Sequence, residues 1–307
     1  MLPNIPRLSV RMITYNQEQV IHRTLESLLC QKDYLYEICI NDDCSPDGTF
    51  EILQEYQKQY PDLIKPVRNE QNLGIFQNIE ASWKRPTGDI VYNLAGDDEA
   101  GPGYFKAVVE FIEKNHIDYK NELFCIYCDH KEIEPDGESI VYKNTSDTKH
   151  DALKLKIRMM LSNRGACYSK KVLDKFEKVS EGRSYNAELM QEGQLALFTE
   201  KRYYLPVVGN IYYAGIGIST RMNKKERKDN IDEGFRRFTE FVEQHGRPFD
   251  KKDLAFIEYM KAYRAHNMKR ALKYYLRSID LSLGFKGLKL DRIFFVLKKK
   301  SRKKRTI

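Results

Sequence analysis

The chain has 307 residues, 41% of them hydrophobic and 31% charged, a balance that builds a globular core and excludes wholesale disorder. Its uncharged apolar runs, such as Leu123 to Cys128, are far shorter than the about 20 residues a membrane span needs, and Met1 to Arg11 carries two prolines and no signal-peptide-like apolar stretch. The net charge of +8 sits at one end: Phe285 to Ile307 holds ten basic side chains against one acid, Asp291. The rest is close to neutral, which excludes a body that grips nucleic acid through a general positive field, and a cytoplasmic protein fits these facts.

In chain order, Leu8 to Ile13 reads as a strand and Gln19 to Gln31 as a helix, with Val20, Ile21, Leu25, Leu28 and Leu29 on one face. Tyr36 to Asn41 is a second strand, ended by the turn-rich Asp42 to Gly48. Thr49 to Tyr60 follows as a helix, Leu63 to Val67 as a short strand, and Gly74 to Trp83 as a third helix. Asp89 to Leu94 is a strand that runs into Ala95-Gly-Asp-Asp-Glu99; Tyr104 to Lys114 is a helix and Leu123 to Asp129 a strand. Beyond it, Lys131 to Tyr142 reads as a hairpin about Pro135-Asp-Gly137. Leu153 to Leu161 is helical, Gly165 to Ser169 strand-like, Glu188 to Thr199 helical and Tyr203 to Tyr213 aromatic and β-like. Charged helices from about residue 222 lead to the basic tail.

Strand–helix alternation with short loops specifies an α/β fold, a mostly parallel sheet flanked by helices. In such sheets ligands sit outside the carboxyl ends of the strands. Three polar clusters directly follow predicted strands: Thr14-Tyr-Asn16, Asp42-Asp43 and Asp97-Asp98. They are expected to meet at one edge of the sheet. Asp97 and Asp98 repel each other and lose hydration there, a cost that a hard divalent cation removes. Ala95 and Gly96 are small enough to let a ligand approach the backbone. In the earlier cluster, Asp47 is expected to serve the turn and Asp43 to face the ligand, since a carboxylate accepts well from a base N–H. Cys125 and Cys128 form a C-x-x-C, but on a buried strand positions three apart face opposite sides, so they read as core residues and not as a metal or redox pair.

Ile13-Thr-Tyr-Asn16, Asn41-Asp-Asp-Cys-Ser-Pro-Asp-Gly-Thr49, Asn69-Glu-Gln-Asn-Leu-Gly74 and Gly88-Asp-Ile-Val-Tyr-Asn-Leu-Ala-Gly-Asp-Asp98 occur together in order. In this the chain resembles the glycosyltransferase family 2 enzymes of GT-A fold over about residues 7 to 220. The resemblance implies a Rossmann-like nucleotide-diphospho-sugar transferase domain over residues 1–221, then a helical extension over 222–307 with a basic amphipathic tail. It implies Mg2+ or Mn2+ held by Asp98 and Asp97, with Asp97 also near the ribose or sugar. Ile13, Thr14, Tyr15 and Asn16 would line the base and ribose, Asp43 would contact the base with Asp42 beside it, and Asn72 and Gly74 would lie near the phosphates or sugar. Relatives often carry an acid two residues before the Asp-Asp pair, where this chain has Ala95.

The family also places an acid on a later helix as catalytic base. Glu192 takes that position, with Gln191 in place of the usual preceding glutamate, and Glu188, one turn earlier, is the runner-up. Ser219, Thr220 and Arg221 fall where relatives close over the donor. The implied function is inverting transfer from a nucleotide-sugar, with UDP as the nucleotide, to a lipid-linked or glycan acceptor in bacterial capsule, lipopolysaccharide or O-antigen assembly. The tail over 281–307 suits an anionic membrane surface, which would make the protein peripheral on the inner face of the plasma membrane. The competing reading is an inactive nucleotide-sugar-binding module. A dinucleotide-dependent oxidoreductase or a P-loop enzyme would need glycine-rich signatures that the chain lacks.

Overall fold

Four strands, β1 (Leu8–Thr14), β2 (Glu37–Asp42), β3 (Ile64–Arg68) and β4 (Ile90–Ala95), pair in parallel in the order β3–β2–β1–β4 in the computed structural model. The structure describes residues 5–147, 149–158, 161–178, 187–216, 224–264 and 267–283. Ser219, Thr220, Arg221, the expected boundary at 221 and the tail beyond Leu283 lie outside the described residues, as does the side chain of Glu188. β1 and β2 are buried almost throughout because helices cover both faces, the setting in which parallel strands lose their alternation. On one face α1 (Ile21–Leu29), α2 (Thr49–Gln59) and the later helix α4 (Tyr104–Lys114) pack Leu25, Leu28, Leu53, Phe105 and Val108 against Val10, Met12 and Ile40. On the other, α3 (Ile75–Ser82) buries Phe76 and Ile79 with Val91.

The sheet continues through β5 (Glu99–Ala100), α4 (Tyr104–Lys114), β6 (Phe124–Ile133), β7 (Ser139–Tyr142), α5 (Ala152–Ile157), β8 (Cys167–Ser169), α6 (Lys170–Leu173), α7 (Ala187–Phe198) and β9 (Lys201–Tyr213). β8 lies antiparallel between β4 and β6, β9 is parallel to β6, and the two-residue β5 pairs with β9. The expected hairpin forms, with His130 opposite Tyr142 and Ile133 opposite Ser139. β6 runs four residues past Asp129, where sequence analysis ended it, because β7 and β9 supply partners to both its edges. The helix expected over 153–161 ends at Ile157. Cys125 packs in the core on one face of the sheet and Cys128 in the core on the other. Burial pushes both thiols up, that of Cys128 to about 12, so they stay protonated and apolar in character.

After α8 (Lys224–Gln244) come α9 (Lys251–Arg264) and α10 (Met268–Arg277). α8 puts Phe238, Phe241 and Val242 into the same core as α3 and α7. Arg158, just after α5, is buried and donates to the carbonyls of Lys252 (3.2 Å) and Ser278 (2.5 Å), and Lys154 pairs with Asp250 (2.7 Å) and Asp253 (2.8 Å). The C-terminal helices are thus pinned to α5 by desolvated charges.

Glu37 closes the opposite end of the sheet from the polar clusters. Its carboxylate accepts from Ser9 Oγ (2.7 Å), Thr87 N (2.6 Å), Thr87 Oγ1 (2.9 Å) and Lys65 Nζ (2.8 Å). Burial would raise its pKa, but these donors and the ammonium hold it at about 2. A carboxylate depressed on folding contributes stability above its unfolded pKa of about 4.3, lost as pH falls towards 2. Glu37→Ala is expected to cost about 2–3 kcal/mol at neutral pH and to flatten acid unfolding between about pH 4.3 and 2. Denaturant titrations across that range check both, and an unchanged acid limb would refute the assignment.

Candidate active site

The register of β1 brings the clusters together. Thr14 lies opposite Asp42 and Ile13 opposite Ala95. Just past the strand ends, Asp43 N donates to Thr14 O and Gly96 N to Ile13 O, both at 3.0 Å. Asn16 N donates to Ser45 Oγ at 2.9 Å and Gln17 N to Thr49 Oγ1 at 2.8 Å. Asn16 takes a left-handed backbone, φ 55°, which asparagine tolerates better than most residues. Tyr15 is left exposed at the rim while Thr14 is buried and bonded to Gln17 Oε1 (2.5 Å).

The three acids of the second cluster differ in use. Asp47 serves the turn as expected: it accepts from Thr49 N, Thr49 Oγ1 and Glu18 N. Asp42 was expected beside the donor, but its carboxylate is wholly buried, bonded to Ser45 N (3.0 Å) and Ser45 Oγ, with Arg68 Nε at 3.6 Å. Burial raises its pKa, opposed by the Ser45 bonds and Arg68. A ligand reaches that carboxylate only by opening the turn. Asp43, expected to face the ligand, is also buried: it accepts from Asn69 Nδ2 (2.8 Å), Leu73 N (2.9 Å) and Gly74 N (2.8 Å). Three of about four acceptor sites are therefore taken, and Asp43 clamps the loop that carries Asn72. Gly74 meets this clamp with φ 84° and ψ 158°, a conformation open to glycine alone among common residues.

Asp98 is buried and Asp97 half-buried. Burial raises the pKa of Asp97, with Arg164 and Arg23 opposing. Arg164 Nη1 stands 3.6 Å from Asp98 Oδ2 and its guanidinium lies 3.8 Å over the Tyr212 ring. Arg23 donates to the Asp97 carbonyl at 2.8 Å and stacks 3.5 Å over Tyr213. Asn210 Nδ2 lies 3.5 Å from Asp98 Oδ2 and pairs across the sheet with His130. Burial, then the cation of Arg164, pushes the His130 imidazole down to about 4, against the pull of Asp129 and Glu192. The Nδ1 of His130 is buried without a hydrogen-bond partner, and its ring stacks on Tyr142 at 5.0 Å. The adjacent residues Asn163 and Arg164 touch both sides of this region, Arg164 at Asp98 and Asn163 at the main-chain carbonyl of Glu192.

On α7, Gln191 Oε1 accepts from Arg11 Nη2 at 2.6 Å, which ties this helix to β1. Glu192 Oε2 pairs with Lys156 Nζ, and its main-chain carbonyl accepts from Asn163 Nδ2 at 3.4 Å. Sequence reasoning named none of Arg23, Arg164, His130 and Asn210. Each is a lone polar residue in an unremarkable local pattern; Arg23 reaches the rim from α1, His130 and Asn210 from the paired strands β6 and β9, and Arg164 from the loop before β8.

Residues 9–176 match the model of glycosyl transferase family 2, more than half of the chain. The chain belongs to glycosyltransferase family 2. A protein of Bacillus subtilis strain 168, EpsE, whose name assigns it provisionally as a glycosyltransferase, is 34% identical over 110 residues, 36% of this chain and 40% of that protein. Chondroitin synthase of Escherichia coli is 28% identical over 139 residues, 45% of this chain and 19% of that enzyme. The match thus spans two-fifths or less of the length of these relatives. TarS 1–349 of S. aureus in complex with UDP-GlcNAc is similar at a TM-score of 0.58 over 88% of this chain and 89% of that one, at 17% identity. The likeness is one of fold, a GT-A-like central sheet flanked by helices, with further helices after it.

Gly96 was expected to let a ligand approach the backbone. A Cβ there would stand 2.2 Å from Gln17 Oε1 and 2.9 Å from Thr14 Cβ, so the glycine also makes room for the β1 loop. Gly96→Ala is expected to displace Gln17 and destabilise the fold by about 1–3 kcal/mol. Thermal unfolding checks this, and a variant as stable as the parent would contradict the packing.

Proposed function

We propose that the chain moves a sugar from a nucleotide diphosphate donor, with UDP as the nucleotide, to an acceptor hydroxyl with inversion at the anomeric carbon. One observation carries the reading. The loops after β1, β2 and β4 are cross-tied at one rim beside Asp97 and Asp98, and α7 is joined to that rim through Asn163, which meets the Glu192 carbonyl, and its neighbour Arg164, which meets Asp98. Ile13 to Asn16 border the base and ribose, with Tyr15 as the exposed surface. Asp43 acts through the loop it clamps, placing Asn72 and Gly74 towards the phosphates and sugar.

Asp97 and Asp98 fit a hard divalent ion, Mg2+ or Mn2+, because they offer carboxylate oxygens alone and because burial already disfavours the Asp97 charge. Among the described residues no group of three or more His, Cys, Asp or Glu gathers as a metal cluster, so the pair would share the ion with oxygens of the donor. Bound there, the ion would supply positive charge to the leaving diphosphate. Arg164, already beside Asp98, adds a fixed cation at the same place. Lys156 holds Glu192 by Oε2, and Oε1 takes the proton of the attacking hydroxyl. Displacement from the face opposite the diphosphate then inverts the anomeric carbon.

The acceptor side of the reading is a lipid-linked or surface glycan, with the protein peripheral on the inner face of the plasma membrane. Among the described residues no helix is long and apolar enough to cross a membrane. The tail expected over 281–307 begins later than its sequence suggests, since Leu283 is buried in the core. Deleting residues 285–307 is expected to weaken binding to anionic vesicles and to spare donor affinity; unchanged sedimentation with vesicles would end the role of the tail.

Glu192→Gln should lower turnover of UDP-sugar with Mn2+ by about 10²–10⁴-fold while donor affinity, read by calorimetry, stays put. Asp98→Ala should cost both donor affinity and turnover. Normal turnover in Glu192→Gln would remove this residue as base. Donor binding with no turnover in the parent chain, across nucleotide-sugars and acceptors, would favour the inactive binding module.

A further inference from the structure

Between Asn267 and Ser278 the chain carries Lys269, Arg270, Lys273 and Arg277 and no acid. α10 turns Ala271 and Tyr275 into the apolar cluster it shares with α9. On its outer side Leu272 and Leu276, one turn apart, are 55% and 60% exposed, and Leu281 just beyond the helix is 78% exposed. Lys269 and Lys273 lie on the adjoining strip of the same exposed arc, at the same spacing of four. Leucines ranked beside lysines on an outward face are the pattern of a helix lying in a lipid interface.

Nearby acids do not neutralise this face. Asp280 is buried, with Lys252 at 3.5 Å and Lys154 at 3.6 Å, and Glu258 is engaged by Arg270 (2.6 Å) and Lys261 (3.0 Å). The occupant must therefore bring apolar surface and negative charge together. The segment that follows is itself strongly basic and is repelled by the face. A second copy would set Lys269, Lys273 and Arg277 against their own kind.

We propose that the outer face of α10 seats the protein on an anionic lipid bilayer, Leu272 and Leu276 entering the acyl boundary while Lys269, Lys273 and Arg277 meet lipid phosphates. This deepens the membrane part of the reading above and is independent of the transfer chemistry. The test is co-sedimentation of the full chain with phosphatidylglycerol–phosphatidylcholine vesicles and with pure phosphatidylcholine vesicles, without donor. The parent should partition to the anionic vesicles alone. Leu272→Ser with Leu276→Ser should weaken that partition about ten-fold or more, with the melting temperature unchanged because both side chains are exposed. Lys269→Glu with Lys273→Glu should do likewise, and low salt should not restore either variant to the parent level. Partition unaffected by the leucine pair overturns the proposal. So does a leucine variant that turns a dimer into a monomer in sedimentation velocity while vesicle binding holds, since the face would then belong to a second copy. Neither result bears on whether UDP-sugar is turned over.

Discussion

The rim of this protein depends on the placement of β1 between β2 and β4. Two backbone hydrogen bonds just beyond the strand ends, Asp43 N to Thr14 O and Gly96 N to Ile13 O, hold loops from distant parts of the chain a single bond length from β1. A one-residue slip would move the buried set of β1 to its other face and break both bonds together. The far end of the same strands is closed by Glu37, which gathers donors from Ser9, Lys65 and Thr87. The register is thus fixed from both ends, by apolar burial between and by hydrogen bonds at the limits.

Charge at the rim is arranged before any ligand arrives. The acids of the second cluster are spent on backbone: Asp42 on its own turn, Asp47 on the start of α2, Asp43 on the loop to Gly74. Asp97 and Asp98 stand in a low-dielectric setting that disfavours the Asp97 charge, and Arg23 and Arg164 beside them, each stacked on a tyrosine of β9, oppose that cost. Stacking fixes where those guanidiniums point at little entropic cost. The result is a site whose local field is set by side chains with few alternatives.

The later half of the chain extends this frame. α7 is tied to β1 by Gln191 and Arg11, to α5 by Glu192 and Lys156, and to α8 through a shared apolar core. Glu192 is therefore located by contacts on three sides. Buried pairs such as Lys154 with Asp253 bind α9 to α5 in turn. Such pairs add little net stability but strongly disfavour other packings that would leave one charge alone.

By itself the sequence determined the succession of elements, the α/β class, the family and the edge of the sheet where Thr14, Asp43 and Asp98 gather, because periodicity, turn residues and strand ends are local properties. It determined too that Cys125 and Cys128 face opposite sides of one strand. What the tertiary structure alone decided is how each polar group is used: that Asp42 is sealed in its turn, that Gly96 leaves room for Gln17, and that Arg164, Arg23, Asn210 and His130 complete the rim. Apart from the turn of Asp42, those outcomes turn on pairings across 66 to 112 positions of chain, and no local pattern encodes which of many polar residues will arrive at a given edge.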